Sequence, residues 1–114
     1  LQNIVRGSKE RIYFNLYSDS VLTQADGAVT LSVYDADNDA TPISGYSNIS
    51  AVNEDPAGVY SFMLVPDLTS INRVLKIIWS YTVGGTYSTE EEFYSVQTVY
   101  STTSDVIDFL GFGA

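Results

Sequence analysis

Two acidic clusters are the residues of this chain best placed for chemistry: Asp35, Asp37 and Asp39 at alternate positions, and the run Glu90-Glu91-Glu92. Alternating aspartates supply hard oxygen ligands of the calcium-loop kind, and paired carboxylates supply the acid and base of glycoside hydrolysis. Neither pattern is complete. Counted from Asp35, a calcium hand needs glycine at its sixth position and a bidentate acid at its twelfth, where this chain has Ala40 and Tyr46. The loop therefore reads as a solvated connection. In an extended strand at most two of the three glutamates share a face, and their repulsion suits a guard against edge pairing or a contact for a basic partner. Histidine and cysteine are absent, so only carboxylates, hydroxyls, two Lys and three Arg remain. The commonest general base and the thiol nucleophile are thereby missing. The expectation is a protein that is not an enzyme and carries no cofactor or metal.

The elements that would position these residues are strands. Turn signals separate short runs of period-2 alternation, and almost nothing between Gln2 and Tyr100 has helical periodicity. A short extended piece at Asn3 to Arg6 precedes a strand over Arg11 to Tyr17, with Ile12, Phe14 and Leu16 on one face and Tyr13, Asn15 and Tyr17 on the other. After a turn at Gln24 to Gly27, Val29, Leu31 and Val33 face inward in a second strand while Thr30, Ser32 and Tyr34 face out. A weaker strand is expected near Ser47 to Val52, and Asp55-Pro-Ala-Gly58 is a turn before a strand over Val59 to Val65, where Tyr60, Phe62 and Leu64 share a face.

The fifth strand is the most clearly patterned. Leu75, Ile77, Trp79, Tyr81 and Val83 fall on one side, with Lys76, Ser80 and Thr82 on the other. Trp79 and Tyr81 could form an open aromatic platform, but their apolar company assigns them to a core. Gly84-Gly85 suits a tight hairpin, with a return strand from about Tyr87 to Val99. A plain two-residue loop would set Glu90 and Glu92 on the face of Trp79, so a longer loop or a bulge is expected before Phe93, Tyr94 and Val96 join the core.

At 114 residues and 12.5 kDa the chain has the size of one domain with a single core. Fourteen acidic residues against five basic ones give a net charge of −9 and a pI near 4.1, a field that repels phosphate backbones and anionic lipids. Neither nucleic acid nor membrane is an expected direct partner, and no apolar run approaches a membrane span. Without cysteine, nothing reports on redox compartment. The start at Leu1 rather than Met suggests that sequence precedes it.

The division expected is a β-sandwich over 1–100 and a helical tail over 101–114. Thr102 and Asp105 resemble a helix-capping pair, and Val106, Ile107, Phe109, Leu110 and Phe112 would give the tail an apolar face, docked on its own sandwich or on a neighbour. These five residues, together with the outward Tyr13, Tyr17 and Tyr34, are the candidate protein-contact residues, because aromatics are enriched at interface cores.

Several segments resemble, in order, a group of tailed-bacteriophage virion proteins with an immunoglobulin-like domain. They are Ile4-Val-Arg-Gly7, Leu31-Ser-Val-Tyr-Asp-Ala-Asp37, Gly58-Val-Tyr-Ser-Phe62, Ile78-Trp-Ser-Tyr-Thr-Val-Gly-Gly85, Phe93-Tyr-Ser-Val96, and Tyr100-Ser-Thr followed by Asp105-Val-Ile107. The resemblance implies an all-β, immunoglobulin-like antiparallel β-sandwich with a short C-terminal helix, residing in the virion. It also implies a structural role with a portal, connector or capsid protein as partner, and a homo-oligomer in the assembly. The tail is similar to the start of the helical part of neck adaptor proteins, which bind the portal ring. A capsid-decoration or tail-associated role stays open. The other class of function compatible with the residues is a cell-surface or secreted module that recognises a glycan or receptor through Tyr-rich loops.

Overall fold

A computed structural model describes residues 2–98. The expected tail helix, with Val106, Ile107, Phe109, Leu110 and Phe112, lies outside the described residues. The strands are β1 (Gln2–Val5), β2 (Glu10–Asn15), β3 (Tyr17–Ser18), β4 (Val21–Leu22), β5 (Thr30–Asp35), β6 (Ile49–Ser50), β7 (Val52–Asn53), β8 (Val59–Leu64), β9 (Arg73–Val83) and β10 (Thr86–Gln97). One helical turn, α1 (Pro66–Thr69), joins β8 to β9. The sequence pattern gave no sign of it beyond a proline suited to the first helical position.

Five strands form one sheet in the order β1-β10-β9-β5-β6, three form a second in the order β2-β8-β7, and β3 and β4 make a separate small hairpin. All neighbours are antiparallel except β1, which runs parallel to β10. The inward faces of the two larger sheets supply one core. From β2 come Ile12 and Phe14, from β8 Tyr60 and Leu64, from β5 Leu31 and Val33, from β9 Leu75, Ile77 and Trp79, and from β10 Tyr94 and Val96. Period-2 alternation produces this division, since a strand with one face in the core places every second residue there. Phe14 crosses the gap to stack on Trp79, ring centroids 5.2 Å apart and 15° from parallel.

The weak strand expected near Ser47 to Val52 is two strands. β6 pairs with β5 of the larger sheet and β7 pairs with β8 of the smaller one, so the chain changes sheets at Ala51. Ser32, expected on an outward face, is buried and accepts the Asn48 N–H through its hydroxyl.

Gly84 and Gly85 make a plain two-residue turn, both at positive φ, and the register runs unbroken from Val83↔Thr86 to Arg73↔Val96. The expected longer loop or bulge is absent. The turn is held from outside, because the Asp26 carboxylate accepts the N–H groups of both glycines at 3.1 and 2.9 Å. Unbroken alternation then carries Phe93 to the outer face, 42% exposed, instead of into the core, while Tyr94 and Val96 do join it.

Candidate interaction surface

The unbroken register puts Glu90 and Glu92 on the same face as Trp79, where the sequence pattern resists carboxylates. The structure accommodates them with donors. Trp79 Nε1–H donates to Glu92 Oε1 at 3.0 Å, the Tyr94 hydroxyl donates to the same oxygen at 2.8 Å, and the Tyr81 hydroxyl donates to Glu90 Oε2 at 3.1 Å. Glu92 thus seals the core rim by giving a fully buried indole N–H its acceptor. Burial and the adjacent carboxylate raise the Tyr94 phenol well above the ordinary tyrosine range, and the same causes raise Tyr81. Both glutamates therefore accept hydrogen bonds from aromatic side chains at the rim of the core.

The aspartate loop is fastened to β9. Asp39 pairs with Lys76 Nζ at 3.0 Å and Asp35 with Arg73 at 3.7 Å, while the Asp37 N–H donates to Asp35 Oδ1. The hydrogen bond and charge of Lys76 hold the Asp39 carboxyl below its usual value, and the Asp39 contact raises Lys76. Among the described residues, no group of three or more acidic side chains converges on a metal position.

The exposed aromatic residues are the remaining candidates, and they divide between opposite faces. On the outer face of the five-stranded sheet, Tyr34, Lys76 and Phe93 stand in register across β5, β9 and β10. Lys76 Nζ lies 5.6 Å from the Tyr34 ring centre, with Glu91 Oε2 3.8 Å away. Tyr87, 67% exposed, extends this face toward the hairpin turn. On the outer face of the smaller sheet, Tyr13, Ser61 and Val52 form a second row. Tyr13 and Val52 are about half exposed, whereas Ser61 is fully covered, bonded to the Arg11 guanidinium at 2.9 Å and to Glu54 Oε2 at 2.6 Å. Tyr17, paired with Leu22, and Val21, paired with Ser18, project from the β3–β4 hairpin, both well exposed.

Of the three tyrosines singled out in the sequence, Tyr13 and Tyr17 are exposed and Tyr34 is half-buried under Lys76. They do not form one patch, since Tyr13 and Tyr34 sit on different sheets. Tyr87, Phe93 and Val52 were missed. Carrying strict alternation through Gly84-Gly85 would have placed Tyr87 and Phe93 outward. Comparison with protein families, curated proteins and solved structures finds no match to this chain.

Proposed function

We propose that this chain is a non-enzymatic structural protein of a tailed-phage virion, acting through protein–protein contacts at the head-neck region or on the capsid surface. The fold belonging to that reading is an immunoglobulin-like sandwich. Support comes from the strand order: a three-stranded sheet β2-β8-β7 faces a five-stranded sheet whose edge strand β1 lies parallel to the last strand. Of the resembling segments, Gly58–Phe62 leads into β8 and Ile78–Gly85 forms the end of β9 and its turn.

The observation that carries the reading is the placement of large exposed side chains on the outer sheet faces. Tyr87 and Phe93 on one face, and Tyr13 and Val52 on the other, offer exposed apolar contact area. A glycan-binding module would instead gain from an accessible indole, and Trp79 is fully buried. Partners are therefore expected to be other virion proteins, with further copies of the chain arranged around them.

The test is antibody labelling and peptide mass spectrometry of purified particles from the culture that supplies this gene. Stoichiometric presence in intact virions, with labelling at the neck or capsid, is the expected result. Presence only in the host surface or secreted fraction would overturn it. A second readout is particle mass by light scattering for the whole chain and for a chain ending at Thr103, where loss of an oligomer on truncation would assign assembly to the tail.

A further inference from the structure

β2 is hydrogen-bonded on one side only, to β8. The Leu16 N–H donates to the Gly58 carbonyl at 2.9 Å, continuing the ladder in the same register. This fixes its phase: Glu10, Ile12, Phe14 and Leu16 turn their backbone groups toward β8, and Arg11, Tyr13 and Asn15 turn theirs away. Among the described residues, the N–H and C=O of those three meet no partner. The edge is six residues long, carries no proline or bulge, and holds the exposed Tyr13 at its middle.

The charge beside this edge runs against that of the chain: Lys9 and Arg11 flank the single carboxylate of β2, Glu10, and Arg6 lies just before them, where its N–H continues the β1–β10 pairing. Arg6, Lys9 and Arg11 supply three of the five cations within six positions, although the net charge is −9. The other two, Arg73 and Lys76, are paired with carboxylates on the opposite sheet. Arg6 instead donates to the Ser70 carbonyl and Arg11 to the Ser61 hydroxyl, and none of Arg6, Lys9 and Arg11 has a carboxylate within ion-pair distance among the described residues.

We infer that the free edge of β2 is a strand-addition site for an extended acidic segment of another polypeptide. Backbone pairing at Arg11, Tyr13 and Asn15 gives the contact, and carboxylates at alternate positions of the incoming strand meet Lys9 and Arg11. Charge selects this occupant over a second copy. Two β2 edges paired antiparallel about Tyr13 would set Arg11 opposite Asn15 and Lys9 opposite Tyr17, leaving the cations without a counter-charge across the seam, whereas an acidic strand neutralises them. Basic residues on an edge deter strands of like charge, and the same residues admit one of opposite sign. The inference does not rest on the virion reading, since it follows from the edge and its charge alone.

The experiment is an amide chemical-shift and hydrogen-exchange titration of the isotope-labelled full chain at low salt. The probe is a capped heptapeptide alternating Glu with Val and Thr, compared with the same peptide carrying Lys for Glu. Expected are shifts and slowed exchange centred on Arg11, Tyr13 and Asn15, at least tenfold weaker with the Lys peptide and weakened by salt. A Glu peptide methylated on alternate backbone nitrogens should not bind, and the Lys9→Glu, Arg11→Glu double variant should reverse the preference. Equal response to both peptides, shifts confined to β1, β6 or β7, or no response at millimolar Glu peptide would overturn the inference. So would protection of these three amides in the free chain, which would show the edge already occupied by the chain or by a second copy.

Discussion

Replacing Glu92 by Ala separates the inward reading of the glutamate run from the sequence-based one. The substitution removes the acceptor of two core donors, the Trp79 indole N–H and the Tyr94 hydroxyl, at 3.0 and 2.8 Å. Trp79 is 0% exposed and Tyr94 only 5%, so neither donor has ready access to bulk water. A buried donor left unsatisfied costs about 1–3 kcal/mol, and bonds to a charged acceptor are at the strong end of the net scale. Water entering the space left by the side chain recovers part of this for the tyrosine hydroxyl at the rim. The expected loss is about 2–4 kcal/mol, a large share of the ~5–15 kcal/mol typical of a domain. In urea, with a slope of about 1–3 kcal/mol/M, it lowers the midpoint by roughly 0.7–4 M at unchanged slope. Glu91→Ala and Glu90→Ala are the internal controls. Both residues are exposed, Glu91 3.8 Å from Lys76 and Glu90 bonded only to the half-buried Tyr81, and each should change stability by no more than about 0.5 kcal/mol. Glu92→Gln, which keeps an acceptor oxygen, should fall between. A Glu92→Ala midpoint indistinguishable from that of Glu91→Ala would refute the argument and restore the reading of all three glutamates as surface charge.

Gly58→Ala should cost about 2–4 kcal/mol by denaturant unfolding, because φ is +99° and a Cβ would lie 2.9 Å from both Leu22 Cγ and the Thr23 carbonyl oxygen, whereas Gly45→Ala, at φ +87° in open space, should cost about 1 kcal/mol. Phe14→Ala should cost about 3–5 kcal/mol and shift Trp79 emission, since it empties the space against the indole face. Alkaline stability should fall above pH 10: the Tyr94 phenol ionises near 10.0 when unfolded and well above that when folded, so its contribution is complete below pH 10 and is lost as pH rises toward the folded value, at about 1.4 kcal/mol per pH unit. Ultraviolet titration should show Tyr94 still protonated where the exposed tyrosines have ionised, and its ionising together with them would refute this.

Alternation made the core legible. Ile12, Phe14 and Leu16, then Val29, Leu31 and Val33, then Leu75, Ile77 and Trp79 are all buried as their spacing predicts, since a single-residue slip would exchange the two faces. Gly84-Gly85 was legible for a similar local reason, two consecutive residues able to adopt positive φ. Glu90 and Glu92 were not, because a hydrophobic pattern treats a carboxylate as outward and cannot see that Trp79, Tyr81 and Tyr94 bring hydrogen-bond donors to meet it. The change of sheet at Ala51 is invisible to periodicity, as β6 and β7 contribute two residues each. The β3–β4 turn was also hidden, since Asp19 and Ser20 take positive φ without a glycine to announce it. Exposure of Tyr13 and Tyr17 could be read from their strand, but their separation from Tyr34 is a property of topology, which composition does not encode.

The parallel pairing of β1 with β10 sets how the molecule would answer a mechanical pull. Gln2 lies beside Tyr94 and Val5 beside Gln97, so tension applied before Gln2 and after Gln97 draws the two strands past each other along their length. Their bonds are then strained together in shear, whereas the antiparallel β9–β10 hairpin, gripped at its open end, would unzip one pair at a time. Single-molecule stretching from those two anchor points should therefore need a larger force than stretching from Arg73 and Gln97. Along that axis the domain holds until its four β1–β10 residue pairs give way together.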